Sequence, residues 1–221
     1  MREEKNFVTP LHTRTKRDYL GRVTSDDKAA CAAVAKKFGQ DYWDGERRHG
    51  YGGYRYDGRW SVVAAAIIAD YGLAPDARIL DVGCGKGFLL YEFTRLLPGA
   101  TVAGIDISAY AIENSKAEIR DRLQVGDAAE LPYADNSFDL VISLGALHNL
   151  PISRLSKALR ELQRVTCKDA YLMVESFRNQ VEMVNLLYWQ LTCESFYSHD
   201  EWVWLFGEYG YQGDYEFIYF E

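Results

Sequence analysis

Long apolar runs are missing from this 221-residue chain. The longest, Val62 to Ala69, falls far short of the ~20 residues a membrane-crossing helix needs. No hydrophobic stretch follows the charges of Met1-Arg-Glu-Glu-Lys-Asn, so a secretory signal is not expected. Cysteine is scarce: Cys31, Cys84, Cys167 and Cys193 form no C-x-x-C pair and have no nearby His, which argues against a zinc site or a disulfide framework. Basic excess is also lacking. Lys and Arg total 25 against 32 Asp and Glu, a net charge of −7, so whole-surface attraction to nucleic acid or anionic lipid is not expected. These absences point to a reduced, cytoplasmic protein with no metal, no nucleic-acid partner and no membrane partner.

What is present is apolar material for one core: 48% of the residues are hydrophobic. Residues 1–60 read as an N-terminal extension of three parts, and residues 61–221 as a regular α/β core. The first 27 residues mix charges without an apolar period and read as a flexible or draped arm. Lys28 to Phe38 carries apolar residues at 31, 34, 35 and 38, a helical spacing that Gly39 would end. Residues 41–60 hold five Gly, four Tyr, two Trp and four Arg without one aliphatic side chain. Such a segment makes no core element by itself, but it offers large contact surfaces with hydrogen-bonding tips, as a lid would.

From Ser61 the pattern becomes regular. Helices are expected over Ser61–Tyr71, stopped by Gly72 and Pro75, over Gly87–Leu97, from a Ser108 cap to about Arg120, and over Ser153–Val165. Strands are expected at Arg78–Val82, Thr101–Asp106, Leu123–Gly126, Phe138–Ser143 and Ala170–Glu175. Val181–Thr192 reads as a further helix, the Ser198-to-Glu201 capping box opens another to about Tyr209, and Tyr215–Phe220 reads as a last strand. This alternation predicts a doubly wound, mainly parallel sheet of six or seven strands, with helices on both faces and a ligand at the strands' C-terminal ends.

The sharpest chemical signal is Asp81-Val-Gly83-Cys84-Gly85-Lys86-Gly87, a strand running into a tight glycine turn and a helix. A dinucleotide G-x-G-x-x-G fails because Phe88 stands at its third glycine, and a phosphate loop fails on spacing and on its last residue. Asp81 would repel a pyrophosphate, yet it suits a ligand bearing an ammonium group. Asp106, at the end of the second strand, stands about 20 residues on, the usual spacing of a ribose-binding acid.

This glycine motif resembles the first motif of class I S-adenosylmethionine (SAM)-dependent methyltransferases, and the likeness continues over roughly residues 61–175. It implies a Rossmann-like fold with SAM as cofactor and S-adenosylhomocysteine as product. Asp81, Gly83, Cys84 and Gly85 would wrap the methionine part. Asp106 would accept from both ribose hydroxyls, with Ile107 beside it. Asp127 would accept from the exocyclic amine of adenine, Ala128 would offer its N–H, and Leu144 would line the opposite wall. The family sheet has seven strands ending in an antiparallel pair, for which Cys193–Tyr197 is the candidate missing member.

His148 and Asn149 follow the fourth strand, where the acceptor should sit. His148 is the candidate base, since an imidazole titrating near neutrality can take a hydroxyl or ammonium proton; its alternative role is to position the loop or the cofactor. Tyr51, Tyr54, Arg55, Arg59 and Trp60 are the candidate acceptor-binding residues, because guanidinium forks pair with carboxylate or phosphate and tyrosines stack or donate. The competing reading pairs the segment's arginines, Arg47 and Arg48 included, with its own acids. The N-terminal stretch resembles a bacterial methyltransferase subgroup associated with surface-polysaccharide biosynthesis. That favours O-methylation of a small sugar or phosphate-like glycan precursor over N-methylation of a small amine or phosphoramidate-like group, and over a non-catalytic SAM-binding regulatory or partner subunit. Oligomeric state is left open.

Overall fold

Strands buried on both faces need helices on both faces, and the chain supplies them in turn. The computed structural model describes residues 3–221. Its N-terminal region holds α1 (Thr9–His12), α2 (Tyr19–Thr24), α3 (Lys28–Ala35) and α4 (Gln40–Trp43). The alternating part follows: α5 (Ser61–Tyr71), β1 (Arg78–Val82), α6 (Phe88–Leu96), β2 (Thr101–Asp106), α7 (Ala109–Glu113), β3 (Leu123–Val125), β4 (Phe138–Leu144), α8 (Ile152–Val165) and β5 (Thr166–Glu175). Then come α9 (Gln180–Trp189), α10 (His199–Glu208) and β6 (Asp214–Ile218).

The six strands form one sheet in the order β3-β2-β1-β4-β5-β6, every neighbouring pair parallel. The order reverses between β1 and β4, so the loops after those strands diverge and leave a crevice at their C-terminal ends. One face packs Ile79, Val102 and Leu140 against Ile67 of α5 and Leu90 and Phe93 of α6. The other packs Leu80, Val141 and Leu172 against Leu155, Leu159 and Leu162 of α8 and Trp202 and Phe206 of α10. In α8 the buried residues 155, 158, 159, 162 and 165 follow the helical stripe that faces a core.

Among the described residues the sheet has no antiparallel pair. Cys193–Tyr197 forms no strand, and β6 runs parallel to β5. The reason is connectivity: α9 and α10 together make a helical crossover between β5 and β6, which returns the chain in the same direction. The outer edge of β6 is covered by the N-terminal segment, where Lys5 N–H donates to Tyr215 O at 2.7 Å and Tyr215 N–H to Glu3 O at 3.1 Å.

The arm is thus draped and anchored. Glu216 of β6, 1% exposed, accepts the backbone N–H groups of Phe7, Val8 and Thr9, the Thr9 hydroxyl and the Tyr171 hydroxyl. This carboxylate satisfies donors at the start of α1 that have no helical partner. The helix expected from Ser108 to Arg120 stops at Glu113. Asn114 and Ser115 turn their side chains onto the carbonyls of Tyr110 and Ile112, competing with the backbone for the next turn. Lys28 begins its helix as expected, but α3 ends at Ala35 and Phe38 takes a left-handed φ of 49°.

Candidate functional site

At the end of β1 the chain must turn sharply, and Gly83 and Gly85 do so with φ of 84° and 54°. Space also requires glycine here: a Cβ on Gly83 would meet Ala146 Cβ at 2.2 Å, and one on Gly85 would meet the Trp43 ring at 2.8 Å. The turn is tied to β2 by Asp106, whose Oδ2 accepts from Gly85 N–H at 2.7 Å and Oδ1 from Ser108 N–H at 2.8 Å. Each carboxylate oxygen keeps a second lone pair for ribose hydroxyls.

Three cavities share walls along this end of the sheet. The first, about 310 Å³, is lined by Gly83, Asp106, Ile107, Asp127, Ala128, Leu144 and Asn149 from the core and by Phe38, Tyr42, Trp43 and Tyr51 from the extension. The second, about 190 Å³, holds Asp81, Cys84, Gly85, His148, Asn149 and Glu175 under Tyr51, Tyr54 and Trp60. The third, about 510 Å³, holds Arg17, Arg22, Arg47, Arg55 and Arg59 with Tyr51, Tyr54, Trp60, Glu175 and Trp189. Every residue that the sequence singled out for cofactor, acceptor or catalysis lines at least one of them.

The charges divide along the same line. Asp81 is 4% exposed, its Oδ1 has no hydrogen-bond partner, and burial, with the Asp106 charge adding to it, pushes its carboxyl up to about 8. An orphaned buried carboxyl beside a glycine cradle fits the ammonium of SAM, and the first cavity fits its adenosyl part between Asp106 and the aromatic lid. Asp127 differs from expectation: it is ion-paired with Arg154, and its Oδ1 accepts from Ala129 N–H at 2.9 Å. An adenine amine would share that carboxylate with the guanidinium.

His148 is 3% exposed, and burial holds its pKa down at about 3. Its Nδ1 faces the backbone N–H of Glu175 at 3.4 Å, leaving the ring proton on Nε2, 3.5 Å from Glu175 Oε2. Glu175 ends β5, and burial pushes it up to about 8; its Oε2 has no hydrogen-bond partner. The sequence reading missed Glu175. Its signal was there, an acid closing an apolar strand at the C-terminal edge of the sheet.

The aromatic segment closes over the site from outside. Trp43 donates to Ser108 Oγ at 2.9 Å and stacks on Tyr51 with ring centres 5.3 Å apart. Tyr51 keeps 43% of its surface exposed while lining all three cavities. Tyr54 stacks on Phe88 and accepts from Trp60 Nε1 at 3.1 Å. Arg59 is paired with Asp57 and Arg48 with Glu46, both acids of the segment; Arg48 also meets Asp26, outside it, and Arg55 faces the third cavity.

Comparison with known proteins places this geometry. A family model described as "Methyltransferase domain" matches residues 73–210. A demethylmenaquinone methyltransferase of Roseiflexus sp. (strain RS-1) is 34% identical over 112 residues, 49% of this chain and 45% of the relative. A 27-O-demethylrifamycin SV methyltransferase of Amycolatopsis mediterranei is 36% identical over 111 residues, 45% of this chain and 40% of that one. The chain thus spans less than half the length of these curated relatives. The solved structure of YcgJ from Bacillus subtilis superimposes with a TM-score of 0.55 at 26% identity, covering 66% of each chain. The family match runs from before the glycine turn to the end of α10, over more than half of the sequence, and the chain belongs to the methyltransferase-domain family, with SAM as the cofactor its relatives imply.

Proposed function

We propose that this chain transfers a methyl group from SAM to a small polar acceptor, at oxygen, with residues 1–60 serving as arm and lid and residues 61–221 as the cofactor-binding core. The observation that carries this reading is the order of the cavities: an adenosyl-sized space over Asp106, a junction with Asp81 and Glu175, then a space rich in guanidinium and tyrosine. SAM supplies an electrophilic methyl on a sulfonium whose leaving group is the neutral thioether of S-adenosylhomocysteine.

Asp81 holds the cofactor's ammonium, Asp106 its ribose, and the Trp43 and Tyr51 rings exclude water above it. Holding the acceptor oxygen near the methyl carbon can supply most of the rate in such a displacement. A hydroxyl acceptor must also lose its proton. Glu175 is better matched to that task than His148, because a base works best when its pKa lies near the working pH. His148, its Nε2 3.5 Å from the Glu175 carboxylate, then stands beside the base without a hydrogen bond to it. A polar, cationic third cavity suits a sugar or phosphate-like acceptor better than a quinone, and the N-terminal resemblance points to a surface-glycan precursor. The described cysteines are free, which fits the cytoplasm.

The test incubates the full chain with methyl-labelled SAM and a size-fractionated lysate, and analyses the labelled fraction by mass spectrometry. A small polar product methylated at oxygen is expected. Label on nitrogen or carbon would overturn the acceptor atom, label only in protein or RNA the substrate class, and cofactor binding without label the transfer itself.

A further inference from the structure

The arm gathers three cations, Arg17, Arg22 and Arg47, that form no ion pair among the described residues. Arg17, Arg22 and Arg47 surround the ring of Trp189, their guanidinium carbons 5.4, 5.6 and 5.4 Å from its centre. Their polar contacts are neutral: Arg17 reaches the carbonyls of His12 and Thr15 and His12 Nδ1, Arg22 the carbonyl of Arg47, and Arg47 the carbonyl of Gly50. The Nε atoms of Arg17 and Arg22 are buried without a hydrogen-bond partner. Burial lowers the pKa of both; Arg47 lowers both further, while Tyr19 and Glu175 oppose the shift at Arg17 and Cys31 and Asp26 oppose it at Arg22.

Among the described residues no carboxylate in the cavity forms an ion pair with these three, although the charge of Glu175 acts on Arg17. The cavity's acids are Asp57, already bound to Arg59, and Glu175, driven by burial towards its neutral form. Arg55 adds a fourth guanidinium to the same wall, with no ion pair among the described residues. A chain of net charge −7 has ample carboxylates, yet here it places cations together. Packing like charges side by side costs stability, and an oxyanion with several acceptor oxygens reverses that cost by pairing with more than one planar fork.

We propose that Arg17, Arg22 and Arg47, gathered around Trp189, form a binding site for a phosphate or diphosphate group, and that this group belongs to the methyl acceptor. The second clause rests on the reading that the adjoining junction is the transfer site. His12 is a positioning residue for this site: Nε2–H donates to Tyr219 O at 3.1 Å, so Nδ1 is free to accept from Arg17 at 3.1 Å. Burial keeps the ring neutral, with its pKa lowered to about 4.

The experiment titrates inorganic pyrophosphate by calorimetry into the full chain saturated with S-adenosylhomocysteine, at fixed ionic strength set with chloride. Saturable binding is expected, weakened roughly tenfold or more in Arg22→Gln and again in Arg47→Gln, while both variants keep their S-adenosylhomocysteine affinity. No saturable binding, or binding indifferent to both substitutions, overturns the site. The labelled transfer product should be retained on an anion exchanger and lose that retention after phosphatase or pyrophosphatase treatment. A product that passes unretained overturns the assignment to the acceptor and leaves a separate phosphate-bearing ligand. Failure to bind S-adenosylhomocysteine at all would strike the methyltransferase reading, while pyrophosphate binding to the cofactor-free chain would still decide the arginine site.

Discussion

Lys86 Nζ stands 2.8 and 2.7 Å from the two carboxylate oxygens of Asp44, joining a cation of the glycine turn to an acid of the aromatic lid. The lysine side chain is 5% exposed, and the Tyr54 carbonyl accepts from it at 3.0 Å. Tyr110 also donates to Asp44, at 2.9 Å. The aromatic segment is thus latched to the glycine turn, the proposed cradle of the cofactor. Asp44→Asn leaves a buried ammonium without its counter-charge, and hydrogen bonds to charged groups contribute about 1.5–3 kcal/mol. The expected result is a Kd for S-adenosylhomocysteine raised about tenfold by calorimetry. An unchanged Kd would mean that closure of the lid does not depend on this pair.

On the proposed reading, in which Asp81 meets the cofactor's ammonium, cofactor binding is a proton-linked event. In the free protein burial holds its carboxyl at about 8, so at pH 7 it is mostly protonated. An ammonium beside it favours the ionised form. Binding of S-adenosylhomocysteine at pH 7 should therefore release close to one proton, and affinity should rise from pH 6 towards 8. Calorimetry in buffers of different ionisation enthalpy measures this directly; Asp81→Asn should abolish the proton release and weaken binding.

Glu175 predicts a pH profile. If it takes the acceptor's proton, kcat/KM rises with pH through a midpoint near 8, and Glu175→Gln removes both the limb and most of the rate, typically about a hundredfold or more. His148→Gln should lower kcat/KM less and shift that midpoint, because its Nε2–H faces the carboxylate. Stability carries the opposite sign. A carboxyl whose folded pKa is raised binds its proton more tightly in the native state, so its contribution falls as pH rises from the ordinary carboxylate range to about 8. Glu175→Gln should flatten that part of the urea-stability curve. A kcat/KM profile unchanged by Glu175→Gln would remove the residue from the base role.

Asp106→Ala loses the proposed ribose acceptor and also the partner of Gly85 and Ser108. Cofactor affinity should fall about a hundredfold, on the order of 3 kcal/mol. Asp106→Asn keeps one acceptor oxygen and should fall between that variant and the unaltered protein.

Glu216→Ala tests the arm. Removal of this buried carboxylate strands the N–H groups of Phe7, Val8 and Thr9 and the hydroxyl of Tyr171. Unsatisfied buried donors cost about 1–3 kcal/mol each, less where water reaches them, so a loss of about 3 kcal/mol in urea unfolding is expected. It also means that deleting residues 1–58 would remove more than a lid, since Val8 belongs to the main core.

The sequence by itself determined the parts of this protein that depend on neighbours along the chain. Ser61–Tyr71 is a helix with the bounds expected of it, because Gly72 supplies the left-handed φ of 55° that ends it. Arg78–Val82 and Thr101–Asp106 are strands as expected, and the glycine turn between strand and helix carries its own geometry wherever the chain goes. Parallel order followed from helix-length crossovers, and the motifs set at those strand ends line shared cavities. Tertiary structure alone decided the rest. Nothing local says that residues 3–5 will edge β6, that α9 and α10 will turn the last strand parallel, or that Arg17 and Arg22 will meet Arg47 over Trp189. Glu175 and His148 are 27 residues apart, and what makes them a pair is burial. Burial and long-range charge are properties of packed surfaces, so they come into being only when the sheet, its crossovers and the arm close on one another.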